Sequence, residues 1–322
     1  MVMAIKILIG GSPCTYWSIA QTHKKREVIS EGVGWELFRN YLIAKKKFKP
    51  DFFLYENNMS AASAIKDTIA KKLGVGVDPD VRFTPINSAL VSAQNRRRFY
   101  VTNFGDIKLP TDRGISFQDI KDTDYDYIKQ FKVNRTPSRE KMWNNGEGKS
   151  PTLRSCANIT HADKSFTLTT KQDRSPNAGL IEFEDFCRYL TTRELEQLQT
   201  MPIGYTKVLT KNQAEKALGN GWTAEVIIYL LSHVLGDIPR DTEIIVLSLY
   251  DGIGTGRYCF DKMGFTNVVY HAYEIDKNAI KCALDNYPDI IQHGDAFVVR
   301  EDSWKPPQTQ SEWLDELLRG DE

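Results

Sequence analysis

The run Ile244-Ile-Val-Leu-Ser-Leu249 passes without a break into Tyr250-Asp-Gly-Ile-Gly-Thr-Gly256. A β-branched and leucine-rich run of this length reads as a buried strand. The glycines directly after it read as a turn where backbone N–H groups and a helix N-terminus come close to a ligand. Two more strand-end turns follow in the same style. Glu274 closes the strand Val268–Tyr273, and Asp295 follows Ile290–Gln292 within Gly294-Asp-Ala-Phe297. A carboxylate at the first place accepts hydrogen bonds from ribose hydroxyls, and one at the second accepts from an exocyclic amine. Arg257 stands where a dinucleotide fingerprint needs its third glycine, so the pattern favours a nucleoside-bearing cofactor over a pyrophosphate cradle. Tyr250 offers a flat ring for stacking on a base.

Working outward, the same alternation of strand and helix extends over most of the chain. Further strands are expected at Ile5–Ile9, Phe52–Tyr55, Val81–Ile86 and Phe99–Phe104. Helical patterns fall near Trp35–Lys47, Ala61–Leu73, Glu194–Met201, Thr223–Leu235, Tyr258–Met263, Asn278–Asn286 and Glu312–Leu318. Thr191-x-x-Glu194 is a capping box for the helix near 194. This is the signature of an α/β fold with a doubly wound, mostly parallel sheet. Between about Gly105 and Phe186 the alternation gives way to a Ser, Thr, Asn, Arg and Pro-rich stretch with a doubled phrase, Ser150-Pro-Thr-Leu153 and Ser165-Phe-Thr-Leu168. We read it as a smaller, irregular second domain, because unstructured loops beyond about 15 residues are uncommon within compact domains. The expected division is 1–104, 105–186 and 187–322, the outer two forming one sheet domain.

The chain has 322 residues, 41% of them hydrophobic and 11% aromatic, enough for a substantial core. Forty-two basic and forty-two acidic side chains cancel, so a polyanion must be held by local patches. Such patches exist: residues 20–50 carry a net +5 and residues 94–175 a net +6, whereas residues 241–322 carry −9. No apolar run reaches the ~18 residues of a membrane span, and a soluble, cytoplasmic protein is expected. The five cysteines form no C-x-x-C pair, and the five histidines show no zinc-ligand spacing, so reduced thiols and no metal are expected.

The opening strand empties into Gly10-Gly-Ser-Pro-Cys14, which sets one thiol at a sheet edge. A lone cysteine there is ordinarily a small buried hydrophobe. What singles it out is company: Glu56-Asn57-Asn58 ends the strand Phe52–Tyr55, and Gln94-Asn-Arg-Arg-Arg98 precedes Phe99–Phe104. A zinc deaminase is excluded by spacing, since Trp17 stands where P-C-x-x-C needs its second cysteine.

Gly-Gly-Ser-Pro-Cys14, Glu-Asn-Asn58, Gln-x-Arg-x-Arg98, Gly-Asn-Gly-Trp222, Tyr-Asp-Gly-Ile-Gly254, Glu274 and Gly-Asp-Ala-Phe297 together resemble the cytosine-C5 DNA methyltransferases, with phrasing around Cys14 and Ser248–Gly252 most like the eukaryotic de novo subgroup. The resemblance spans nearly the whole chain except 105–180. Its order is unusual, because the Pro-Cys turn comes first and the cofactor turn near the end, as in a circular permutant. The tail Trp304–Leu318 is then expected to be the helix leading into Ile5–Ile9. One departure is Asn58, where the family usually has valine.

The resemblance implies S-adenosylmethionine as cofactor and duplex DNA as substrate. Cys14 is implied as the nucleophile that adds to cytosine C6, with Glu56 holding N3 and the exocyclic amine, and Arg96 and Arg98 holding the base carbonyl and backbone. The cofactor falls to Pro13, Tyr250, Asp251, Gly252, Ile253, Gly254, Thr255, Glu274, Ile275, Asp295 and Ala296, with Asn220, Gly221 and Trp222 at its methionine end. Ser12, Asn57 and the loop cluster Lys24-Lys25-Arg26 fall to the substrate. The region 105–186 takes the place of target recognition. Two rivals stand beside this reading: the same chemistry on transfer RNA, and a catalytically idle DNA-binding paralogue. A restriction endonuclease partner, the recognised sequence and the oligomeric state are left open.

Overall fold

A computed structural model describes residues 4–18, 26–133, 137, 158–173, 177–183, 186–309 and 312. Among the described residues there are ten strands: β1 Ile5–Gly10, β2 Phe52–Asn58, β3 Arg82–Asn87, β4 Arg97–Thr102, β5 Lys132–Val133, β6 Ile181–Phe183, β7 Phe186–Arg188, β8 Ile244–Leu249, β9 Val268–Tyr273 and β10 Ile291–Gln292. Seven of them form one sheet in the order β10-β9-β8-β1-β2-β4-β3. The pairs β1–β2, β1–β8, β8–β9 and β9–β10 are all parallel. From the central neighbours β8 and β1 the chain runs outward through β9 and β10 on one side and through β2 to the edge strand β3 on the other, with β4 returning between β2 and β3, so the reversal of strand order lies between β8 and β1. In a doubly wound sheet that is where ligands gather, beyond the carboxyl ends of the strands. The fold class expected from the sequence is the one observed.

The chain divides into two compact units, one of residues 1–85, 99–107 and 230–322, the other of residues 86–98 and 108–229. In the first, β8 is buried at every position and β1 along its last four residues. Helices cover these strands with narrow apolar stripes. Helix α1, Val33–Phe48, buries Phe38, Tyr41, Ala44 and Phe48, carries Lys45–Lys47 in its last turn and ends on a left-handed Lys49. Helix α2, Ser63–Leu73, buries Ile65, Ile69 and Leu73 and ends on Gly74 at φ +112°. Lysines in a last helical turn suit the negative end of the helix dipole. Tyr55 anchors the core between Phe38 and Tyr41, with ring centroids 5.1 and 5.0 Å away in edge-on geometry. Burying an aromatic side chain of this size contributes about 2–3 kcal/mol.

The second unit contains the three-stranded antiparallel sheet β5-β7-β6. The Thr191 capping box forms as expected, and its Glu194 also makes a two-pronged pair with Arg188, both oxygens at 2.7 Å and both side chains fully buried. Helix Lys211–Asn220 is absent from the sequence-based expectation. Its signal was present as Thr210-x-x-Gln213, and Gln213 accepts from the Thr210 N–H at 2.9 Å. The tail was expected to be helical over Trp304–Leu318, but residues 304–309 form no helix; the rest of it apart from Glu312, and the phrase Ser150–Leu153, fall outside the described residues. Among the described residues no helix is long and apolar enough to cross a membrane, and no three His, Cys, Asp or Glu side chains gather as a metal site.

Candidate functional site

Backbone register builds the site before any side chain is considered. Gly10 on β1 is paired with Tyr55 on β2 and with Leu249 on β8, and Leu249 is paired in turn with Tyr273 on β9. β1, β8 and β9 therefore end on one row, which β2 crosses at Tyr55 before running on to Asn58, and the next residues are Glu56, Gly11, Tyr250 and Glu274. Every one of these belongs to a segment picked out in the sequence, and all lie in the first unit.

Glycine is required at the centre of the row. A Cβ on Gly10 would stand 2.7 Å from the Leu249 carbonyl oxygen, and one on Gly11 would stand 2.5 Å from the Glu56 carbonyl oxygen and 3.0 Å from Glu56 Oε2. The Pro-Cys turn and the Glu56 strand end are thus packed backbone to backbone. Ser12, buried, shares a hydrogen bond of 2.7 Å with the Tyr55 hydroxyl, and Asn57 Nδ2 donates to Ser12 O at 2.8 Å and to the Tyr55 hydroxyl at 3.2 Å. Both Ser12 and Asn57 are spent on fixing the turn. Burial pushes the Tyr55 phenol well above its ordinary range, which keeps it a neutral donor. Cys14 opens a short 3-10 turn, Cys14–Tyr16, and is a partly exposed free thiol, while Cys187, Cys259 and Cys282 are buried.

On the other side of the row, Tyr250 sits at φ +62° and Gly252 and Gly254 at +66° and +78°. The non-glycine outlier is held by its hydroxyl, which donates to Leu37 O at 2.7 Å and accepts from Asn40 Nδ2 at 3.2 Å. The Asp251 carboxylate accepts from Ser248 Oγ at 2.7 Å and from the Tyr270 hydroxyl at 2.6 Å, while its other oxygen is buried with no partner. Burial pushes its pKa up to about 6 against those two hydrogen bonds, with a smaller push from the Glu274 charge. Glu274 accepts from the backbone N–H groups of Gly252, Ile275 and Asp276 at 2.8–2.9 Å, so it braces the glycine turn as well as facing the edge. Gly254 caps the helix Thr255–Lys262, in which Thr255 is buried, and Ile253 is buried beside it. Asp295 caps the short turn Ala296–Arg300 through the Phe297 N–H at 2.9 Å, and Ala296 is buried. Ile275 and Phe297 leave apolar surface exposed, 71% and 38% respectively.

The second unit carries Arg96, Arg98, Asn220, Gly221 and Trp222. Arg96 is buried and donates to the carbonyls of Leu168, Gly219 and Gly221 at 3.2, 3.1 and 2.8 Å, so it frames the Asn220–Trp222 turn. Arg98, also buried, donates to Arg97 O at 3.0 Å. Sequence reading picked out Gln94 without giving it a role and missed Gln199, the two amides that organise this region. Gln94 receives the Leu168 N–H at 2.8 Å and donates to Leu198 O at 3.0 Å, and Gln199 donates to Leu218 O and Gly221 O while receiving the Thr223 hydroxyl. It quoted Ser248 without seeing its bond to Asp251, and it missed Tyr270 and Asn40. Lys24 and Lys25 lie outside the described residues. Arg26 donates to Trp17 O at 3.1 Å and Ser60 O at 2.6 Å.

Comparison with known proteins follows the same lines. Residues 2–107 match the family model of the C-5 cytosine-specific DNA methylases. No curated protein sequence matches at a significant level. Among solved structures, the chain is similar to the Entamoeba histolytica methyltransferase EhMeth, at 15% identity and a TM-score of 0.51, over 72% of this chain and 78% of that one. A Spodoptera frugiperda DNMT2 mutant aligns at 17% identity and TM-score 0.47, over 70% of this chain and 78% of that one. A putative DNA modification methyltransferase encoded within a prophage of E. coli aligns at 16% and 0.43, over 73% and 80%. The EhMeth likeness supports the fold. Residues 2–107 are thus similar to the C-5 cytosine-specific DNA methylases, and the sheet described above agrees with the fold of the EhMeth neighbour.

Proposed function

We propose that the protein is a DNA (cytosine-5-)-methyltransferase that uses S-adenosylmethionine and a covalent Cys14 adduct. The observation that carries this is the register row, which brings the Cys14 turn, the Glu56 strand end and the glycine turn to one sheet edge. Cytosine C5 is a weak nucleophile within an aromatic ring. A Cys14 thiolate adding at C6 forms a C–S bond and makes C5 enamine-like; after alkylation the C5 proton is lost to a base and the C–S bond breaks. Glu56 supports the addition by holding N3 and the amine, and Arg98 by holding the base carbonyl or backbone. We assign Arg96 to bracing the Asn220–Trp222 turn. The target base is flipped out of the duplex, at a cost of a few kcal/mol.

The strand-end residues suit the cofactor. A methyl group on Gly252 would meet nothing within 4 Å, Asp251 keeps a buried acceptor without a partner, and Ile275 and Phe297 present apolar faces. Glu274 would hold the ribose, Asp295 and Ala296 the adenine edge, and Pro13 the methionine end. When bound, S-adenosylmethionine supplies the electrophilic methyl carbon. The cofactor strands follow the nucleophile strand in the chain, which supports reading the order as circularly permuted. We read 105–186 as the target-recognition region within the larger second unit.

The test is methyl incorporation from labelled S-adenosylmethionine into duplex DNA by wild type and Cys14→Ala. Wild-type labelling that Cys14→Ala abolishes is expected. Equal incorporation by both would end the nucleophile assignment, and stronger labelling of transfer RNA than of DNA would move the substrate to RNA.

A further inference from the structure

Arg26, expected from the resemblance to face the substrate, and its neighbour Glu27 meet three separate parts of the site. Glu27 donates its backbone N–H to Tyr16 O at 2.9 Å. Its carboxylate accepts from the Trp17 indole N–H at 3.0 Å and from the Gly34 N–H at 3.2 Å to each oxygen. Gly34 lies in the first turn of α1, whose N-terminal Gly32 has no side chain to cap it. First-turn N–H groups have no partner within the helix and attract negative charge. Glu27 supplies both from a distance. The backbone is shaped to admit it: a Cβ on Gly32 would stand 2.5 Å from Glu27 Oε1, and one on Gly34 would stand 2.7 Å from Oε2 and 2.8 Å from Trp17 Nε1.

Arg26 grips the same tryptophan from its other end. Its Nε donates to Trp17 O, and its Nη2 donates to Ser60 O in the loop after the Glu56-Asn57-Asn58 strand end. Trp17 is fully buried in the core, and its N–H and that of Ser18 close the Cys14 turn onto Cys14 O at 3.1 and 2.9 Å. The 3-10 turn that presents Cys14 has no side-chain cap of its own.

We propose that Arg26 and Glu27 are a positioning pair for the nucleophile, clamping the Cys14 turn through Trp17 to the Glu56 strand end and to α1, and that Arg26 is not a phosphate contact. This deepens the methyltransferase reading, since it rests on Cys14 as the reacting group. A guanidinium committed to two carbonyl oxygens contributes little to holding a polyanion. A phosphate-contacting arginine, by contrast, weakens binding when removed and lowers the salt slope by about 1.

The experiment has two arms, run on wild type, Arg26→Lys, Arg26→Ala, Glu27→Gln and Glu27→Ala. In the first, Cys14 alkylation by iodoacetamide is timed by peptide mass spectrometry, with buried Cys187, Cys259 and Cys282 as internal controls of folding. Cys14 is expected to react at least threefold faster in both alanine variants with the buried thiols still protected. Should the alanine variants expose the buried thiols, Arg26→Lys and Glu27→Gln decide by the same measure. An unchanged Cys14 rate in folded variants overturns the clamp. In the second arm, methyl transfer to duplex DNA is followed against salt. We expect kcat to fall about tenfold in Arg26→Ala and Glu27→Ala, with KM for DNA within twofold and the salt slope unchanged. A slope reduced by about 1 with kcat intact makes Arg26 a phosphate contact and overturns the proposal. Wild-type inactivity on DNA would count against the methyltransferase reading alone, because the alkylation arm needs no substrate.

Discussion

Arg96 Nη2 donates to the Gly221 carbonyl oxygen at 2.8 Å, joining residues 125 positions apart in the chain. The same guanidinium holds Gly219 O and Leu168 O, so one planar group fixes the two ends of the Gly219–Gly221 turn and the Leu168 segment. A lysine ammonium offers its donors from a single nitrogen and cannot reproduce the spread of two guanidinium nitrogens across these carbonyls. Arg96→Lys is therefore expected to destabilise the protein by about 2–4 kcal/mol, because buried carbonyls lose charged donors. Urea unfolding measures it, and a change below about 1 kcal/mol would remove the framing role.

Tyr250 keeps a left-handed backbone through its hydroxyl, which bonds to Leu37 O and Asn40 Nδ2. Tyr250→Phe leaves the ring in place and strips both bonds. A loss of about 1–2 kcal/mol in unfolding free energy is expected. Asn40 links this hydroxyl to Arg300 through its own carbonyl, so Asn40→Ala should cost at least as much. Equal stability of Tyr250→Phe and wild type would show that the turn holds its shape unaided.

Gly256 faces a filled space. A Cβ there would collide with the Tyr270 hydroxyl and stand 2.5 Å from Ile9 Cδ1. Gly256→Ala should lower stability by about 1–3 kcal/mol through overpacking, despite alanine's better helix propensity. It should also disturb the Tyr270 bond to Asp251. A thermal melt no lower than that of wild type would contradict this.

Two groups tilt stability with pH in opposite senses. Asp251 is held near 6, above its ordinary 3.8, chiefly by burial, so the folded state binds its proton more tightly. Its contribution is full below about pH 4 and is lost as pH rises through 6. His271 is lowered from 6.5 to about 4, by burial first and then by His293, which stacks on it at 5.1 Å. Its contribution is full above 6.5 and is lost as pH falls through 4. Asp251→Asn should therefore gain on wild type by on the order of 3 kcal/mol between pH 4 and pH 7. Urea titrations at pH 4, 5.5 and 7 test this, and a constant difference between the two proteins would show that Asp251 does not titrate there.

Much of the larger sheet was legible in the sequence because its central strands are unbroken apolar runs closed by glycine turns. Ile5–Ile9, Ile244–Leu249 and Val268–Tyr273 appear within one residue of their expected ends. The sheet β5-β7-β6 was not legible, since strands of two or three residues are too short for any periodicity. The types of residue at the site were readable, but their bonding was not. Nothing local distinguishes the commitment of Arg96 and Arg26 to backbone carbonyls from an arginine facing solvent. That choice is made by Gly219, Gly221 and Leu168 in one case and by Ser60 and Trp17 in the other, all brought near by folding alone.

The row that ends in Glu56, Gly11, Tyr250 and Glu274 also works as a ruler. Neighbouring strands lie about 4.8 Å apart, so three spacings separate the two outer carboxylate positions by roughly 14 Å of backbone. Any small molecule that engages Glu274 at one end and delivers a carbon beside Glu56 at the other must be elongated, and fragments of it would leave one terminus unserved. Because this calibration is set by main-chain pairing, side-chain drift along the outer faces of the strands leaves it intact.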